Sequence, residues 1–441
     1  MSVRLTTTEL LSHLIRFDTT NPPGNEAECV HFLGGILDEA GLTTEFHSAS
    51  SGRPNLVARL PGRGDAPPLL LYGHADVVAT AGQTWSQPAF AGRVTNGWVW
   101  GRGALDMKGG LAMMTSALVR TRAEGRQPAG DIVFAVVADE EAGGADGARF
   151  LVEQRPHLFD GIRYALGEFG GFPLHLDGRR FYMIQVAEKA PCWLEATLRG
   201  PGGHGARPMR GGAMASLGQV LSRLDERRMP VHITSITRGM IETLCKYVSR
   251  RTRWALRLLL QPKLADRALR FLGPKGRLFE PLFRHTVNAT YVHGGGKANV
   301  VPSEVVLGLD GRLLPGFDPE DLLEELRVLV GESIETRVLL HEPSPGTPDY
   351  GLLDLLSDVL GELDRAAVPA SVPFLLPAST DARHFARLGI QTYGFTPMRL
   401  PAGFDFFSTI HAADERIPVD ALDFGTEAIV RVIDRYGSDS A

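Results

Sequence analysis

The chain contains 441 residues, of which 44% are hydrophobic and 22% are charged, and its formal net charge is −5. These values are typical of soluble globular proteins, and the length exceeds what one hydrophobic core usually supports, so we expect two domains. The weak negative charge gives no global electrostatic reason to bind nucleic acid. Cys29, Cys192 and Cys245 form no CxxC motif, which argues against a disulfide framework and favours a reducing compartment.

The N-terminal stretch "MSVRLTTTELLSHLIRF" predicts a surface helix rather than a secretory signal. It lacks a long apolar centre and a cleavage-like site of small residues. Thr6 and Glu9 have the spacing of a capping box at the start of this helix. The longest apolar runs of the chain are far too short to cross a bilayer. We therefore expect a cytoplasmic protein with no transmembrane segment.

The segment from residue 55 to residue 137 alternates between strand-like and helix-like patterns. "NLVARL", "PPLLLYGHADVV" and "DIVFAVVADEE" predict strands, and "GGLAMMTSALVRTRAEG" predicts a helix. Continuous apolar strands separated by helices indicate a sheet that is covered on both faces. His74 and Asp76 follow one strand, and Glu140 and Glu141 follow another. Because the working groups of such sheets gather beyond the carboxyl ends of strands, we expect these side chains at one edge.

Further along, the patterns change to strand, helix, strand, strand, helix, strand, which is the order of a small ferredoxin-like α+β unit. Asp318 is the expected N-cap of its second helix, and Pro319 is the expected first residue. Since α/β patterns then resume at "YGLLDLLSDVLGEL", the small unit is an insertion. We predict an α/β fold with a mixed sheet covered by helices at 1–187 and 349–441, and an inserted domain at 188–348.

A basic helical insert is expected within the second domain at about residues 231–285. Residues 246–284 hold 11 Lys or Arg and 2 Asp or Glu, with Leu and Phe interleaved, as in "RWALRLLLQPKLADRALRFLGPKGRLFEPLFR". This pattern predicts one or two basic amphipathic helices. Three interpretations remain open: packing on the inserted domain or at a subunit contact, a groove for an apolar or anionic substrate, and contact with a membrane surface or nucleic acid.

Several potential metal ligands lie among glycines or at strand ends: His74, Asp76, Asp106, Glu140, Glu141, Glu168 and His411. Each of the short motifs that contain them is common by chance, and "DEE" alone is usually a solvated turn. Their order and their shared position after buried strands are far less common. Imidazole and carboxylate ligands suit zinc, and the lack of nearby cysteines favours an open catalytic site over a closed structural one.

The motifs "GHADVV", "GRGALDMKGG", "ADEEAGG", "GGHGARP", "NVVP", "TDARHF" and "IHAADERI" occur in this order along nearly the whole chain. In these motifs the chain resembles the co-catalytic di-zinc hydrolases that include aminoacylase, acetylornithine deacetylase, succinyl-diaminopimelate desuccinylase, glutamate carboxypeptidase and carboxypeptidase S. The resemblance implies a zinc-peptidase-type catalytic domain with an inserted lid or dimerisation domain. It also implies a homodimer and two Zn²⁺ ions, for which Co²⁺ or Mn²⁺ could substitute.

The resemblance further implies a role for each candidate ligand. The expected metal ligands are His74 and Glu168 for one zinc, Glu141 and His411 for the second, and Asp106 as the bridge between them. By the same resemblance, a cis peptide is expected directly after the bridging residue, at Asp106-Met107.

Two carboxylates next to these ligands have other implied roles. Asp76 is expected to orient His74, and Glu140 is expected to act as the general base. In the "TDARHF" motif, Thr380 and Asp381 are expected to shape a loop near the site and Arg383 to contact substrate, whereas His384 is read as structural.

The inserted domain is expected to supply the substrate contacts. In dimeric members of the family, the histidine that corresponds to His204 polarises the scissile carbonyl of the substrate bound by the partner subunit. Asn299 and Arg312 match the asparagine and arginine that hold a substrate carboxylate, and an arginine fork suits a carboxylate bidentately.

These assignments predict a metal-dependent hydrolase that cleaves an amide bond next to a free carboxylate, as a C-terminal exopeptidase or an N-acyl amino acid amidohydrolase. Glu168 favours this type, because related aminopeptidases more typically have Asp there. The alternatives are an aminopeptidase or dipeptidase and a non-catalytic zinc-binding member. We expect a small peptide or N-acyl amino acid substrate, no nucleic acid, and membrane-surface contact only through residues 246–284.

Overall fold

The computed structural model describes residues 5–331, 334–344 and 347–438. The chain divides into two compact units. The first unit contains Met1–Val186, Asp349–Phe374 and Thr380–Ala441. The second unit contains Ala187–Pro348 and Leu375–Ser379. Within the part of the chain that is described, every helix is too short or too polar to cross a membrane.

The N-terminal segment contains, in chain order, α1 (Thr7–Arg16), α2 (Ala27–Glu39), β1 (Thr43–Ser48), β2 (Pro54–Leu60), β3 (Leu69–His74), β4 (Arg93–Thr95), β5 (Trp98–Trp100), α3 (Lys108–Ala123), β6 (Ile132–Val137), α4 (Ala148–Gln154), β7 (Tyr164–Gly167), β8 (Phe172–Leu176) and β9 (Arg179–Glu188). Short 3-10 turns occupy Glu140–Ala142 and Pro156–Phe159. The predicted capping box of α1 is confirmed, because the Thr6 hydroxyl accepts from the backbone N–H of Glu9 and the Glu9 carboxylate accepts from that of Thr6.

The middle segment contains β10 (Ala190–Arg199), β11 (Gly203–His204), α5 (Ala213–Glu226), α6 (Ser235–Tyr247), α7 (Arg250–Leu259), α8 (Pro262–Leu272), α9 (Pro274–Phe279), a 3-10 turn (Glu280–Phe283), β12 (Thr286–His293), β13 (Val300–Val301), β14 (Glu304–Leu313), α10 (Pro319–Val330) and β15 (Glu335–His341). The C-terminal segment contains α11 (Leu353–Leu363), β16 (Val372–Leu376), α12 (Ala382–Ala386), β17 (Gln391–Gly394), α13 (Phe406–Thr409), β18 (Arg416–Pro418) and α14 (Val419–Arg435).

One mixed sheet organises the first unit, with strand order β1-β2-β6-β3-β7-β17-β9-β16 and β8 paired to β9. At its centre, β6, β3, β7 and β17 run parallel, whereas β1, β2 and β9 pair antiparallel to their neighbours. The central strands are buried along their whole length, as the continuous apolar runs of the sequence predict.

Helices cover both faces of this sheet, as expected for buried central strands. Leu70 and Tyr72 of β3 belong to an apolar cluster with Leu151 of α4 and Phe385 of α12. On the opposite face α3 approaches so closely that a Cβ on Gly73 would lie 2.9 Å from the Leu111 side chain. A glycine at this position therefore lets α3 pack tightly against β3.

The second unit is built on an antiparallel sheet with strand order β12-β14-β10-β15. Its chain order, β10-α5-β12-β14-α10-β15, is the ferredoxin-like arrangement, so the predicted fold class is confirmed. The cap of α10 is also confirmed, since Asp318 and Asp321 form a capping box and Pro319 is the first helical residue.

The basic insert contains more helices than the one or two predicted for residues 246–284. After α6, which ends at Tyr247, the chain forms α7, α8, α9 and a 3-10 turn before β12. Local signals end each helix and begin the next: the Ser249 hydroxyl caps α7, and Pro262 lies in the first turn of α8. The spacing of the apolar residues alone does not reveal where one helix ends and the next begins.

Candidate metal centre

The carboxyl ends of three adjacent parallel strands define the site. His74 is the last residue of β3, Glu140 and Glu141 follow the end of β6, and Glu168 follows the end of β7. Because β6, β3 and β7 are parallel neighbours in the sheet, their carboxyl ends lie at the same edge. The fold therefore brings a histidine and three carboxylates to one edge, as the strand patterns predict for His74, Glu140 and Glu141 and as the resemblance implies for Glu168.

Asp106 joins the two histidines of the site. It lies between β5 and α3, is buried, and is followed by a cis peptide to Met107. One carboxylate oxygen, Oδ1, lies 3.1 Å from Nε2 of His74, and the other, Oδ2, lies 3.1 Å from Nε2 of His411. A carboxylate that offers one oxygen to each histidine has the arrangement needed to bridge two cations.

Two glutamates flank this bridge, one at each histidine. Oε2 of Glu168 lies 3.4 Å from Nε2 of His74, and Oε1 of Glu141 lies 3.3 Å from Nε2 of His411. Each histidine thus faces Asp106 and one glutamate, which gives two ligand groups with nitrogen and oxygen donors. Zinc accepts this donor set.

The hydrogen bonds around these glutamates support a bound cation. Both carboxylate oxygens of Glu168 and Oε1 of Glu141 are shielded from solvent, and no hydrogen-bond donor within the described ranges satisfies them. Buried polar atoms without partners are uncommon in folded proteins because each costs about 1–3 kcal/mol. The residues therefore fit metal ions, which would ligate these oxygens.

The pKa shifts report the same crowding of charges. Burial raises the pKa of Glu168 to about 8 and also raises that of Glu141. The nearby carboxylates of Asp106 and Glu141 raise the pKa of His411 to about 10. For Asp106, the effect of burial is outweighed by His411 and His74, so its pKa is lowered. Cations among these carboxylates would favour their ionised forms and neutral histidines.

Glu140 lies beside this group. One of its carboxylate oxygens lies within 4.8 Å of a ring nitrogen of His74 and of an oxygen of Glu168. Burial and the charge of Glu168 raise the pKa of Glu140 well above its usual value. Its backbone N–H donates to Oδ1 of Asp76 at 3.1 Å, which holds this residue at the start of the 3-10 turn.

Asp76 contacts His74 mainly through its backbone. Nδ1 of His74 lies 2.9 Å from the carbonyl oxygen of Asp76 and 3.6 Å from its carboxylate. A hydrogen on Nδ1 leaves Nε2 unprotonated and free to bind a metal ion. The Asp76 carboxylate accepts instead from the backbone N–H groups of Glu140 and Glu141, at 3.1 Å each.

Asp139, the first of the three consecutive acids, is held by structural contacts. Its carboxylate accepts from Nη1 of Arg53 at 2.8 Å, from the Asn21 side chain at 3.0 Å and from the backbone N–H of Asp146 at 3.1 Å. Asn21 also donates to Asp76, at 2.9 Å. Asn21 and Arg53 therefore brace the acidic turn, and sequence reasoning missed both.

Glu415 and Arg102 form a second support that sequence reasoning missed. Both are fully buried, and Nη1 of Arg102 donates to Oε2 of Glu415 at 2.6 Å. Oε1 of Glu415 accepts from the backbone N–H groups of Leu105 and Asp106, and Arg102 also donates to the carbonyl of Ala412, next to His411. Both lie inside the quoted motifs "GRGALDMKGG" and "IHAADERI", but residue type alone does not reveal the pairing.

The "TDARHF" motif lies against the glycine-rich turn after the acids. Gly144 has a positive φ of 73°, and a Cβ there would lie 2.8 Å from Oδ1 of Asp381 and 3.0 Å from Nε2 of His384. Burial raises the pKa of Asp381 to about 7 and lowers that of His384 to about 3. His384 is not among the clustered ligands, and Arg383 donates to the carbonyl of Thr380.

The predicted substrate-contact residues lie in the second unit, where His204 and Asn299 are neighbours. His204 is exposed on β11, which pairs with β13, and the N–H of Gly205 donates to the carbonyl of Asn299 at 2.8 Å. Nδ1 of His204 accepts from the N–H of Ala206, so the Nε2 hydrogen of the neutral ring is free to donate outward.

Arg312 lies on β14 and is held by Asp310. Its Nε and Nη2 donate to the two oxygens of Asp310, at 2.8 and 3.1 Å, and its Nη1 donates to Ser379 at 3.0 Å. The side chain keeps about a quarter of its surface exposed, so the guanidinium remains partly accessible.

A further cluster in the second unit, His232, His285 and Glu325, has atoms close enough to hold a metal. Nδ1 of His285 accepts the backbone N–H of Leu314 at 3.1 Å, so the hydrogen of the neutral ring must lie on Nε2. The Nε2 atom that faces the cluster is thus not available as a ligand. His232 and Glu325 contact each other at 2.5 Å, and we interpret the group as a structural hydrogen-bonded cluster.

Comparison with known proteins gives consistent matches. The profile of peptidase family M20/M25/M40 matches residues 70–435. The chain is 28% identical over 369 residues to the probable carboxypeptidase S-like 2 of Dictyostelium discoideum, covering 80% of this chain and 68% of that protein. It is also 28% identical over 374 residues to an N-fatty-acyl-amino acid synthase/hydrolase of Mus musculus, and this match covers 80% of this chain and 71% of that protein. An M20 family metallo-carboxypeptidase from Sulfolobus solfataricus shares the fold, with a TM-score of 0.69, 18% identity, and coverage of 99% of this chain and all of that one.

Proposed function

The chain belongs to peptidase family M20/M25/M40, whose members are metal-dependent hydrolases, and we propose that it cleaves amide bonds next to a free carboxylate. Its substrates are N-acyl amino acids or the C-terminal ends of small peptides. The observation that carries this proposal is the placement of the Asp106 carboxylate, with one oxygen 3.1 Å from His74 and the other 3.1 Å from His411. This geometry supports a dinuclear centre with open positions for substrate.

The proposed metal ligands follow the two halves of the cluster: His74 and Glu168 for one ion, Glu141 and His411 for the other, and Asp106 for both. We propose zinc as the ion, because the donors are imidazole nitrogens and carboxylate oxygens, and Co²⁺ or Mn²⁺ would accept the same donors. When bound, the two ions lower the pKa of a water molecule and stabilise negative charge on the carbonyl oxygen of the substrate.

Glu140 is the proposed general base. Its carboxylate takes a proton from the attacking water and passes it to the leaving nitrogen as the amide bond breaks. Its position within 4.8 Å of His74 and Glu168 supports this role. Asp76 is the proposed positioning residue, because its carbonyl fixes the tautomer of His74 and its carboxylate holds the backbone at Glu140.

The second unit contains the proposed substrate contacts. We propose that Arg312 and Asn299 bind the free carboxylate of the substrate. The partly exposed guanidinium of Arg312 supports this role. We propose a homodimer in which His204 donates to the scissile carbonyl of the substrate held by the partner subunit. The exposure of His204 and the outward donor that its hydrogen bond to Ala206 leaves support this role.

We favour N-acyl amino acids with an apolar acyl chain within this substrate class. Similarity to the N-fatty-acyl-amino acid synthase/hydrolase of Mus musculus supports this choice. An aminopeptidase or dipeptidase is the second candidate, because dipeptidases and aminopeptidases are among the proteins that share the fold. The protein is proposed to act in the cytoplasm, where its three free, buried cysteines would stay reduced.

A release assay combined with metal analysis tests this proposal. Purified protein is loaded with zinc and assayed with N-lauroyl, N-acetyl and free-amino dipeptide substrates that share one C-terminal amino acid. We expect hydrolysis of the N-acyl substrates and faster turnover of the N-lauroyl form. Preference for the dipeptide would support the second candidate. A loaded dinuclear site with no turnover of any amide would indicate a non-catalytic family member.

A further inference from the structure

Two helices of the basic insert, α7 and α8, pack their apolar sides inward and leave one side exposed. Leu256 and Leu259 of α7 and Ala265 and Leu269 of α8 are fully or almost fully buried. The exposed positions of both helices are dominated by arginine and lysine, at six of nine. The pair is therefore amphipathic in the usual sense, but its outer side is unusually basic.

The basic side chains on this outer side lack acidic partners. Six cations are exposed: Arg250, Arg251, Arg257, Lys263, Arg267 and Arg270. None forms an ion pair with a carboxylate in the described parts of the chain. The one acid on these helices, Asp266, is already bound by Arg284. Surface charges of a folded protein are usually mixed in sign, so six unpaired cations on two short helices form a strong local positive field.

Helical spacing places these cations in two stripes. On α7, Arg250 and Arg257 are seven residues apart, which is close to two turns, and on α8 Lys263, Arg267 and Arg270 follow the i, i+4, i+7 pattern. Each stripe therefore lies along one side of its helix.

Two exposed aromatic rings, one from each helix, lie in contact with each other. Trp254 of α7 is 59% exposed and Phe271 of α8 is 47% exposed, and their rings meet edge to face with centroids 6.1 Å apart. The guanidinium of Arg251 lies 5.1 Å from the centre of the Phe271 ring. The two rings therefore form one exposed aromatic pair on the basic side, with a cation in contact with it.

We propose that this outer side of α7 and α8 is a docking surface for membranes that contain anionic phospholipids. Cations attract the headgroups, while tryptophan and phenylalanine insert at the boundary between headgroups and acyl chains. The charge complementarity and the paired exposed rings argue for this occupant. The proposal does not depend on the chemistry of the metal centre, which lies in the other unit.

Single-stranded nucleic acid is the other polyanion that combines cations with aromatic contacts. It binds by stacking bases on open ring faces. Here the Arg251 guanidinium lies over the Phe271 ring, and the Trp254 ring meets the same ring edge to face. This arrangement suits insertion between lipid headgroups better than stacking of bases. This geometry favours a lipid surface over nucleic acid.

Vesicle co-sedimentation of the full chain tests the proposal, using phosphatidylcholine vesicles with and without phosphatidylserine. We expect binding only with phosphatidylserine, and loss of that binding at high salt. The triple variant Arg250→Ala, Arg257→Ala, Arg267→Ala should bind about a hundredfold more weakly, since each cation near an anionic membrane contributes about fivefold. The control variant Arg179→Ala, Arg327→Ala, Arg365→Ala removes three exposed arginines elsewhere and should bind like the parent.

A second variant separates insertion from simple charge attraction. Trp254→Ala with Phe271→Ala should weaken vesicle binding at least tenfold, and the parent chain should show a vesicle-induced blue shift of tryptophan fluorescence that Trp254→Phe removes. Circular dichroism and hydrolysis of a short soluble substrate confirm that each variant is folded. Equal binding by the aromatic variant, binding to single-stranded DNA instead of vesicles, or loss of self-association as the sole effect of the triple variant would each overturn the proposal.

Discussion

Glu415 fixes the backbone of Asp106, the residue that faces both histidines of the metal centre. Oε1 of Glu415 accepts from the backbone N–H of Asp106 at 3.1 Å and from that of Leu105 at 2.8 Å. The other oxygen, Oε2, is bound to Arg102. The bridging carboxylate is thus held by a buried ion pair that itself contacts no metal ligand side chain.

Replacing Arg102 by methionine should strongly destabilise the protein. Glu415 would remain buried without its charged partner, and breaking a buried pair in this way costs about 3–5 kcal/mol. Urea unfolding of the metal-free protein measures the change. The matched control is Glu362→Gln, which removes an exposed carboxylate paired with Arg431 and Arg435 and should change the free energy of unfolding far less, because surface ion pairs contribute little.

Glu415→Gln should weaken metal binding more than it weakens the fold. The amide oxygen can still accept one backbone N–H bond, but the charge that anchors Arg102 and the Asp106 backbone is lost. Substitution of groups that orient metal ligands typically lowers metal affinity by about 10–100-fold. Competition with a chelator measures this affinity, and an unchanged value would show that Glu415 has no positioning role.

Glu140→Gln and Glu141→Gln should separate catalysis from metal binding. The first variant keeps both ions but loses the proton acceptor, so kcat should fall by about 10²–10⁴-fold. The second should retain about one ion per chain, because Glu141 is a proposed ligand. Elemental analysis and kcat together distinguish the two. Substantial activity in the Glu140 variant would mean that another group is the base.

Arg312→Met should raise KM for substrates with a free carboxylate. The variant loses the proposed bidentate contact between the Arg312 guanidinium and the substrate carboxylate. It also leaves the Asp310 carboxylate without the arginine that binds it. The comparison substrate is the C-terminal amide of the same N-acyl amino acid, for which KM should be similar in both proteins. Arg199→Met, on an exposed strand position paired with Glu304 and Glu335, is the control and should change neither value.

His285 should make the second unit sensitive to mild acid. Burial lowers its pKa to about 4, against a usual value near 6.5, while Glu325 opposes this shift and His232 and Lys189 add to it. The unfolded chain therefore binds more protons between these pH values. The stability that neutral His285 provides is complete above about pH 6.5, and about 3 kcal/mol is lost as the pH falls to about 4.

The variant His285→Gln tests this pH dependence. Its amide oxygen can accept the Leu314 N–H bond but does not titrate, so the apparent melting temperature should fall less steeply between pH 6.5 and 4 than in the parent. Its zinc content should equal that of the parent, because His285 is not a ligand. A parallel pH profile, or a zinc content lowered by one ion, would contradict the interpretation of the cluster.

The sequence patterns allowed the fold class to be predicted because it depends on local signals, whereas the proposed set of metal ligands came from the family resemblance of the motifs. Buried strands predict a sheet covered on both faces, and the strand ends deliver the residues that follow them, such as His74 and Glu140, to one edge. The N-cap of α10 could be predicted for the same reason. Each of these inferences uses residues that are near one another in the chain.

The supporting contacts were not predictable, because they join distant residues of common types. Arg102 meets Glu415, and Asn21 meets both Asp76 and Asp139, and no spacing rule selects these partners. The role of the Asp76 carboxylate was likewise hidden, since only the folded backbone shows that it caps the turn at Glu140.

The order of the ligands along the chain has a consequence for synthesis. Asp106, Glu141 and Glu168 precede the inserted unit, whereas His411 and Glu415 follow it. At typical translation rates, roughly ten to fifty seconds separate the synthesis of Glu168 from that of His411. On the proposed assignment, a nascent chain in that interval has His74, Asp106 and Glu168 for one ion but lacks His411, which completes the ligands of the other. With these proposed ligands, a complete dinuclear site would form only after the two parts of the interrupted domain have been joined.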